Sequence, residues 1–238
     1  MSANLTDLEK VIGHNFRDIK LLERAITHRS WVFENLPDAD EGTARKSENE
    51  VLEFLGDSVV GLAVAEQLFT LHPKLDEGDL TLMKHHLVST ATLAKAGDKV
   101  DIGKYLRVGR GEEKTGGRSK RALLANTLEA VIGAVFLDSG YIAARGAVKR
   151  LMGDEIRAAS PERSVDYKSM LQERLQAAKL KAPKYDLLRT DGPPHDRKFF
   201  VEATWDGGSS QGEGQSIKTA EMMAARIALE SFESETKE

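Results

Sequence analysis

The chain has 238 residues, with 34 Lys plus Arg against 38 Asp plus Glu, and a formal net charge of −4 at pH 7. That length suffices for one large core, or for a medium domain and a small one. The absence of cysteine excludes disulfides, zinc–thiolate sites and cysteine nucleophiles. The acidic balance argues against a broadly basic nucleic-acid-binding surface. A carboxylate cluster for divalent cations also lowers the charge, however, so the positions of the charges matter more than their sum.

The first residues, MSANLTDLEKVIGHNF, lack the basic-then-apolar order of a secretion signal. No apolar run approaches the roughly 18 residues of a membrane span, so a cytoplasmic location with no membrane partner is expected.

Apolar residues recur three and four apart at Leu5, Leu8, Val11 and Ile12, and again at Ile19, Leu22 and Ile26, which predicts helices. A polar loop is expected from Pro37 to Lys46. A long helix should run from Ser47 to Phe69, with Ser47 as N-cap and Glu50 completing a capping box, and His72-Pro73 should end it. DEGDL, at Asp76 to Leu80, opens a helix expected to continue through Met83, Leu87 and Leu93. GRGEEKTGG, at Gly109 to Gly117, reads as a flexible loop. Its glycine spacing invites a phosphate-binding reading, but Gly117-Arg118 stands where Lys-Ser/Thr is needed. Ser119 to Leu137 predicts a buried helix stopped by Gly140.

Apolar periodicity lapses from Ile156 to Ser164, where a linker is expected. Beyond it, Tyr167 to Ala178 reads as a helix. Lys184 to Thr190 and Lys198 to Trp205 alternate like strands around GPPH, and Ser209 to Ser216 reads as a weaker third strand. Thr219 to Phe232 reads as an alanine-rich helix. The expected fold is an all-α domain over residues 1–155, a linker at 156–164, and a small α+β domain of α-β-β-β-α order over 165–235.

In NEVLEFLGDS, at Asn49 to Ser58, Glu50, Glu53 and Asp57 occupy positions i, i+3 and i+7. At about 100° per residue they share roughly 60° of one helix face. Unpaired carboxylates this close repel and raise one another's pKa, and a cation relieves the repulsion. Glu129 stands alone in the apolar run LLANTLEAVIGAVFL, with Asn126 one turn earlier on the same face. An ionised carboxylate buried there is costly unless paired or metal-bound. Acids at this spacing also occur on solvated helix faces, and Glu129 could instead meet an Arg or Lys. An oxygen-only donor set suits a hard ion, most simply Mg²⁺, and such an ion suits phosphodiester hydrolysis.

NEVLEFLGDS closely resembles the signature stretch of the ribonuclease III family. THRS (Thr27 to Ser30), DEGDL, GGRSK (Gly116 to Lys120) and TLEAVIGAVFLDSGY (Thr127 to Tyr141) resemble further family motifs, in the family order. The resemblance implies that Glu53, Asn126 and Glu129 ligate metal, with Asp57 and Glu129 catalytic. Glu50 and Glu77 are implied as supporting residues. It also implies Mg²⁺ with Mn²⁺ as a substitute, no organic cofactor, and a homodimer whose two sites cut opposite strands of double-stranded RNA. Cleavage should leave 5′-phosphates, 3′-hydroxyls and short 3′ overhangs, in the processing of rRNA precursors and other structured transcripts. Asn126 departs from the family's usual aspartate, which predicts weaker metal binding.

The carboxy-terminal pattern resembles a double-stranded RNA-binding domain through YKSMLQERLQ, GPPHDRKF and GEGQSIKTAEMMAA. By that resemblance Gln172, Glu173 and His195 meet the minor groove, and Ser216 and Lys218 meet phosphates. Ile217 and Thr219 stand where the family tends to have basic residues, which predicts a shallower salt dependence. His28 in THRS is expected to be structural. Two other functions remain open: an RNA-binding dimer disabled by Asn126, and a small-molecule metallohydrolase with an appended interaction domain.

Overall fold

A computed structural model of the chain describes residues 4–164, 166–193 and 197–235. The chain divides into two compact units, Met1–Ser164 and Val165–Glu238.

The first unit is helical. It opens with α1 (Leu5–Ile12), α2 (Ile19–Ala25) and α3 (Arg29–Asn35), whose N-cap side chains, Asn4, Asp18 and His28, each accept a backbone N–H of the first turn. The expected polar loop is partly helix: Glu41–Ser47 form α4. This stretch has no apolar periodicity to reveal it. Instead Asp40 caps it through the Thr43 N–H, and Arg45 pairs with Glu41 one turn away.

Ser47 therefore ends α4 and does not cap the long helix. That helix, α5 (Glu50–Leu71), begins behind Asn49, whose side chain makes no capping bond. Asn49 is buried, donating its amide to the Ala25 carbonyl and its N–H to that of Thr27. α6 (Glu77–Leu87) and α7 (Thr90–Lys99) are two helices where apolar spacing suggested one, because Ser89 breaks the run and accepts the Thr92 N–H. GRGEEKTGG is likewise ordered, with α8 spanning Arg110–Lys114. The Arg118 guanidinium fastens this segment, donating to the carbonyls of Gly103, Lys104 and Leu106 and pairing with Glu113 at 2.6 Å.

α9 covers Arg121–Ala158, interrupted at Gly140, where φ is +78°. The glycine kinks the chain as its left-handed conformation requires, but helix resumes beyond it and reaches into the segment expected to be a linker. α10 (Pro161–Ser164) continues that segment as helix. The core gathers Leu22, Ile26, Leu52, Val60, Met83, Leu93, Leu128, Ile132, Val148 and Ile156 around packed α5 and α9. By length and composition these two helices are apolar enough to cross a membrane, contrary to the expectation from apolar runs. Much of that apolar surface is what they bury in forming this core.

The second unit has the order α11 (Tyr167–Ala177), β1 (Lys184–Asp191), β2 (Lys198–Trp205), β3 (Gly208–Gly214) and α12 (Ile217–Glu235). The antiparallel sheet runs β1-β2-β3, with Leu187 opposite Val201, Glu202 opposite Gln211, and a bulge between Leu187 and Arg189. Along β2, Val201 and Ala203 are buried, at the strand period of two. Leu171 and Leu175 meet Ala225 and Ala228 in a separate small core, flanked by Tyr185 and Trp205.

Candidate active site

Two glycines bring the predicted acids together. A Cβ on Gly56 of α5 would stand 1.8 Å from the Glu129 carbonyl oxygen, and one on Gly133 of α9 would stand 2.4 Å from that of Leu52. Only glycine at both positions lets the backbones approach this closely. Glu53 and Asp57 flank Gly56 in sequence, while Glu129 and Asn126 lie one and two turns before the crossing glycine of α9. The helix contact thus juxtaposes two acids of the signature helix with the isolated acid of the other helix.

Glu129 is 9% exposed. Burial, reinforced by Asp57 and Glu53, pushes its pKa up to about 7. Burial also raises Glu53, aided by Glu50 and Asp57 and opposed by a hydrogen bond from Asn126. Among the described residues no Lys, Arg or His forms an ion pair with Glu53, Asp57 or Glu129, so the salt-bridge reading of Glu129 has no support. Asp57 reaches solvent. Glu50 pairs with Arg29 at 3.2 Å.

Beside the acids opens a cleft of about 270 Å³ lined by His28, Asn49, Glu50, Glu53, Leu123, Asn126 and Thr127. His28 supports the structural reading by capping α3, with its Nδ1 at 2.8 Å from the Ser30 hydroxyl. Burial lowers its pKa. It is nevertheless a cleft wall, as are Asn49 and Thr127, none of which sequence spacing singled out. THRS carried part of that signal, since Thr27 pairs with Arg107 in a bridge made by the His28 N–H and the Ile26 carbonyl, and the Thr27 carbonyl accepts the Asn49 N–H at the start of α5. Glu77 does not line this cleft; it is exposed in the first turn of α6.

Among the described residues, no three Asp, Glu, Cys or His side chains converge tightly enough to enclose an ion by themselves. The donor chemistry still fits a hard divalent cation. Mg²⁺ is normally held by one or two carboxylates, with water and substrate phosphate completing its shell. Crowded acids without an ion-pair partner, one of them accepting a hydrogen bond from the Asn126 amide, are the set such an ion would relieve.

In the second unit, Gln172 and Glu173 are exposed on α11 between the buried Leu171 and Leu175. Ser216 and Lys218 are exposed at the start of α12. The Ser216 hydroxyl already accepts the Thr219 N–H at 3.1 Å, so it helps cap the helix. Burial raises the Asp166 carboxyl, but hydrogen bonds from Ser169 hold it below its usual range, with a smaller contribution from nearby Lys218. His195 lies outside the described residues.

Comparison with known proteins accounts for both units. The family model described as Ribonuclease-III-like matches residues 18–155, and that of the double-stranded RNA binding motif matches 167–231. Ribonuclease 3 of Nitratidesulfovibrio vulgaris is 45% identical over 94% of this chain and 86% of its own. That of Syntrophotalea carbinolica is 44% identical over 95% and 96%. The crystal structure of the nuclease domain of ribonuclease III from Campylobacter jejuni is 34% identical, with a TM-score of 0.56, over 64% of this chain and 95% of that one. Helical nuclease unit, α-β-β-β-α unit and near-full-length similarity agree: the chain belongs to the ribonuclease III family and is an endoribonuclease with a double-stranded RNA-binding domain.

Proposed function

We propose that this protein hydrolyses double-stranded RNA with Mg²⁺ at the α5–α9 crossing, Mn²⁺ substituting. The observation that carries the reading is the crowding of Glu53, Asp57 and Glu129 without a partner cation, with Glu129 held at about 7. Glu53, Asn126 and Glu129 would hold the ion, and Asp57 and Glu129 act as the catalytic acids. A bound divalent ion would supply Lewis acidity toward a phosphate oxygen and make water more acidic. The chain's own part is positional. The glycine crossing fixes the two helices against each other, so the carboxylates need no rearrangement. Solvent-exposed Asp57 is free to orient the attacking water, and Glu50 supports the cleft from the next turn.

The products are 5′-phosphate and 3′-hydroxyl ends. Short 3′ overhangs follow if two such sites act together in a homodimer. Supporting that assembly, Val51, Phe54, Leu62 and Phe69 are 53%, 77%, 56% and 73% exposed at helical spacing along α5, an apolar stripe suited to a second copy. One ribonuclease III structure from Campylobacter jejuni concerns a region of the nuclease domain involved in dimer formation. Gln172, Glu173, His195, Ser216 and Lys218 are proposed to grip the duplex by shape and phosphate. The reading requires no organic cofactor or membrane, places the protein in the cytoplasm, and assigns it rRNA precursors and other structured transcripts as substrates.

Asn126 carries the second reading, a duplex-binding dimer with a disabled site. Cleavage of a long RNA duplex across a Mg²⁺ series, with wild type beside Asn126→Asp, separates the two. The first reading predicts that wild type cuts and the variant cuts at lower Mg²⁺. A wild type that binds but never cuts, with cutting restored in the variant, supports the second.

A further inference from the structure

The cleft presents an electrostatic problem, since Glu50, Glu53, Asp57 and Glu129 repel the phosphodiester that must enter. Among the described residues, Arg29 is the sole side-chain cation in an ion pair with any of these four acids. It joins Glu50 at 3.2 Å while remaining 54% exposed. Its guanidinium also lies over the exposed Phe33 ring, 5.6 Å from the centroid. The backbone beneath it is anchored: the neighbouring His28 N–H donates to the Arg107 carbonyl at 2.9 Å, and the Ser30 hydroxyl accepts the Gly109 N–H at 2.9 Å.

We propose that Arg29 is a substrate-phosphate contact at the edge of the cleft, kept extended toward it by Glu50 and Phe33 in the free protein. This rests on the reading of the cleft as the RNA-cutting site. The chemistry is specific to this arrangement. A guanidinium has five N–H donors in a planar fork, so it can keep one bond to a carboxylate and offer others to a phosphate. The pair with Glu50 is half-solvated and therefore weak, so a more highly charged phosphate backbone can compete for Arg29. Stacking on Phe33 limits the side chain's freedom without neutralising its charge. Arg29 thus supplies attraction where the acids supply repulsion, and it does so independently of a bound metal.

The test measures binding of a short RNA duplex by the full-length protein, in EDTA, over a series of KCl concentrations. Wild type is compared with Arg29→Ala, Arg29→Lys, Glu50→Ala and the Arg29→Ala/Glu50→Ala double variant, all checked for unchanged helicity. Losing one phosphate contact should weaken binding about five-fold near 0.15 M salt and reduce the log–log salt slope by about 0.9. Arg29→Lys should retain most of the slope. Glu50→Ala should tighten binding, and the double variant should fall below it. If Arg29→Ala leaves the salt slope at the wild-type value, Arg29 merely holds Glu50 and the proposal fails. Cleavage by wild type in Mg²⁺, measured alongside, reports separately on the underlying reading of the cleft.

Discussion

Glu129 and Lys218 are both charged side chains on helices, yet their surroundings are opposite. Glu129 stands at the crossing of α5 and α9, nearly buried and pressed by Glu53 and Asp57. Lys218 stands exposed at the start of α12, neighboured by Asp166. The helical unit stores charge where backbone packing dictates position, whereas the RNA-binding unit displays polar groups on a scaffold whose core lies elsewhere. Chemistry in the first unit should therefore depend on how closely α5 and α9 pack. Recognition in the second should degrade gradually as single contacts are removed.

The largest expected effect comes from breaking the packing itself. Gly56→Ala must force α5 away from the Glu129 carbonyl, costing about 3 kcal/mol in urea denaturation and abolishing cleavage together with stability. An alanine tolerated there without either loss contradicts the close crossing. Next, removal of residues from Val165 onward should weaken duplex binding strongly at physiological salt but leave cleavage at low salt. Loss of all cleavage would mean that the helical unit is not an autonomous nuclease.

A third effect concerns pH. Glu129 has its folded pKa raised from 4.5 to about 7, so the metal-free folded state binds the extra proton. Stability contributed by the protonated group is fully present below about 4.5 and falls as pH rises towards 7. Glu129→Gln should flatten that decline, with thermal melts in EDTA at pH 5 and pH 8 as the measurement. Divalent-ion affinity of wild type should rise over the same interval, because the ion requires the ionised carboxylate. The smallest effect belongs to the exposed surface. Lys218→Ala should weaken duplex binding about five-fold near 0.15 M salt and reduce the salt slope by about 0.9, with melting unchanged.

Much of this was legible in the amino-acid order, for identifiable reasons. Glu50, Glu53 and Asp57 share a face because helical spacing requires it, and Glu129 was conspicuous as a lone acid in an apolar run. The order of helix and strands after residue 165 followed from the change in period. What escaped was whatever depends on contacts distant in sequence. The role of Gly56 and Gly133 appears once Leu52 and Glu129 carbonyls oppose them. Arg29 and Asn49 enter the site region through α3 and the α4–α5 junction. α4 and α8 lack an apolar stripe and are held by the Asp40 cap and the Glu41–Arg45 pair in the first, and by ion pairs to Arg118 and Lys120 in the second, so periodicity passed over them. The continuation of helix beyond Gly140 and through much of 156–164 was hidden by residues that ordinarily end helices.

The central claim is that the acids at the glycine crossing perform metal-dependent cutting while the other unit holds the duplex. Cleavage and binding of one labelled RNA duplex by wild type and Glu129→Gln, with and without Mg²⁺, test it directly. The account predicts cutting only by wild type with Mg²⁺, and binding within two-fold for both proteins in EDTA, as roughly expected when no phosphate contact is lost. Cutting by Glu129→Gln at the wild-type rate would place the chemistry elsewhere in the molecule.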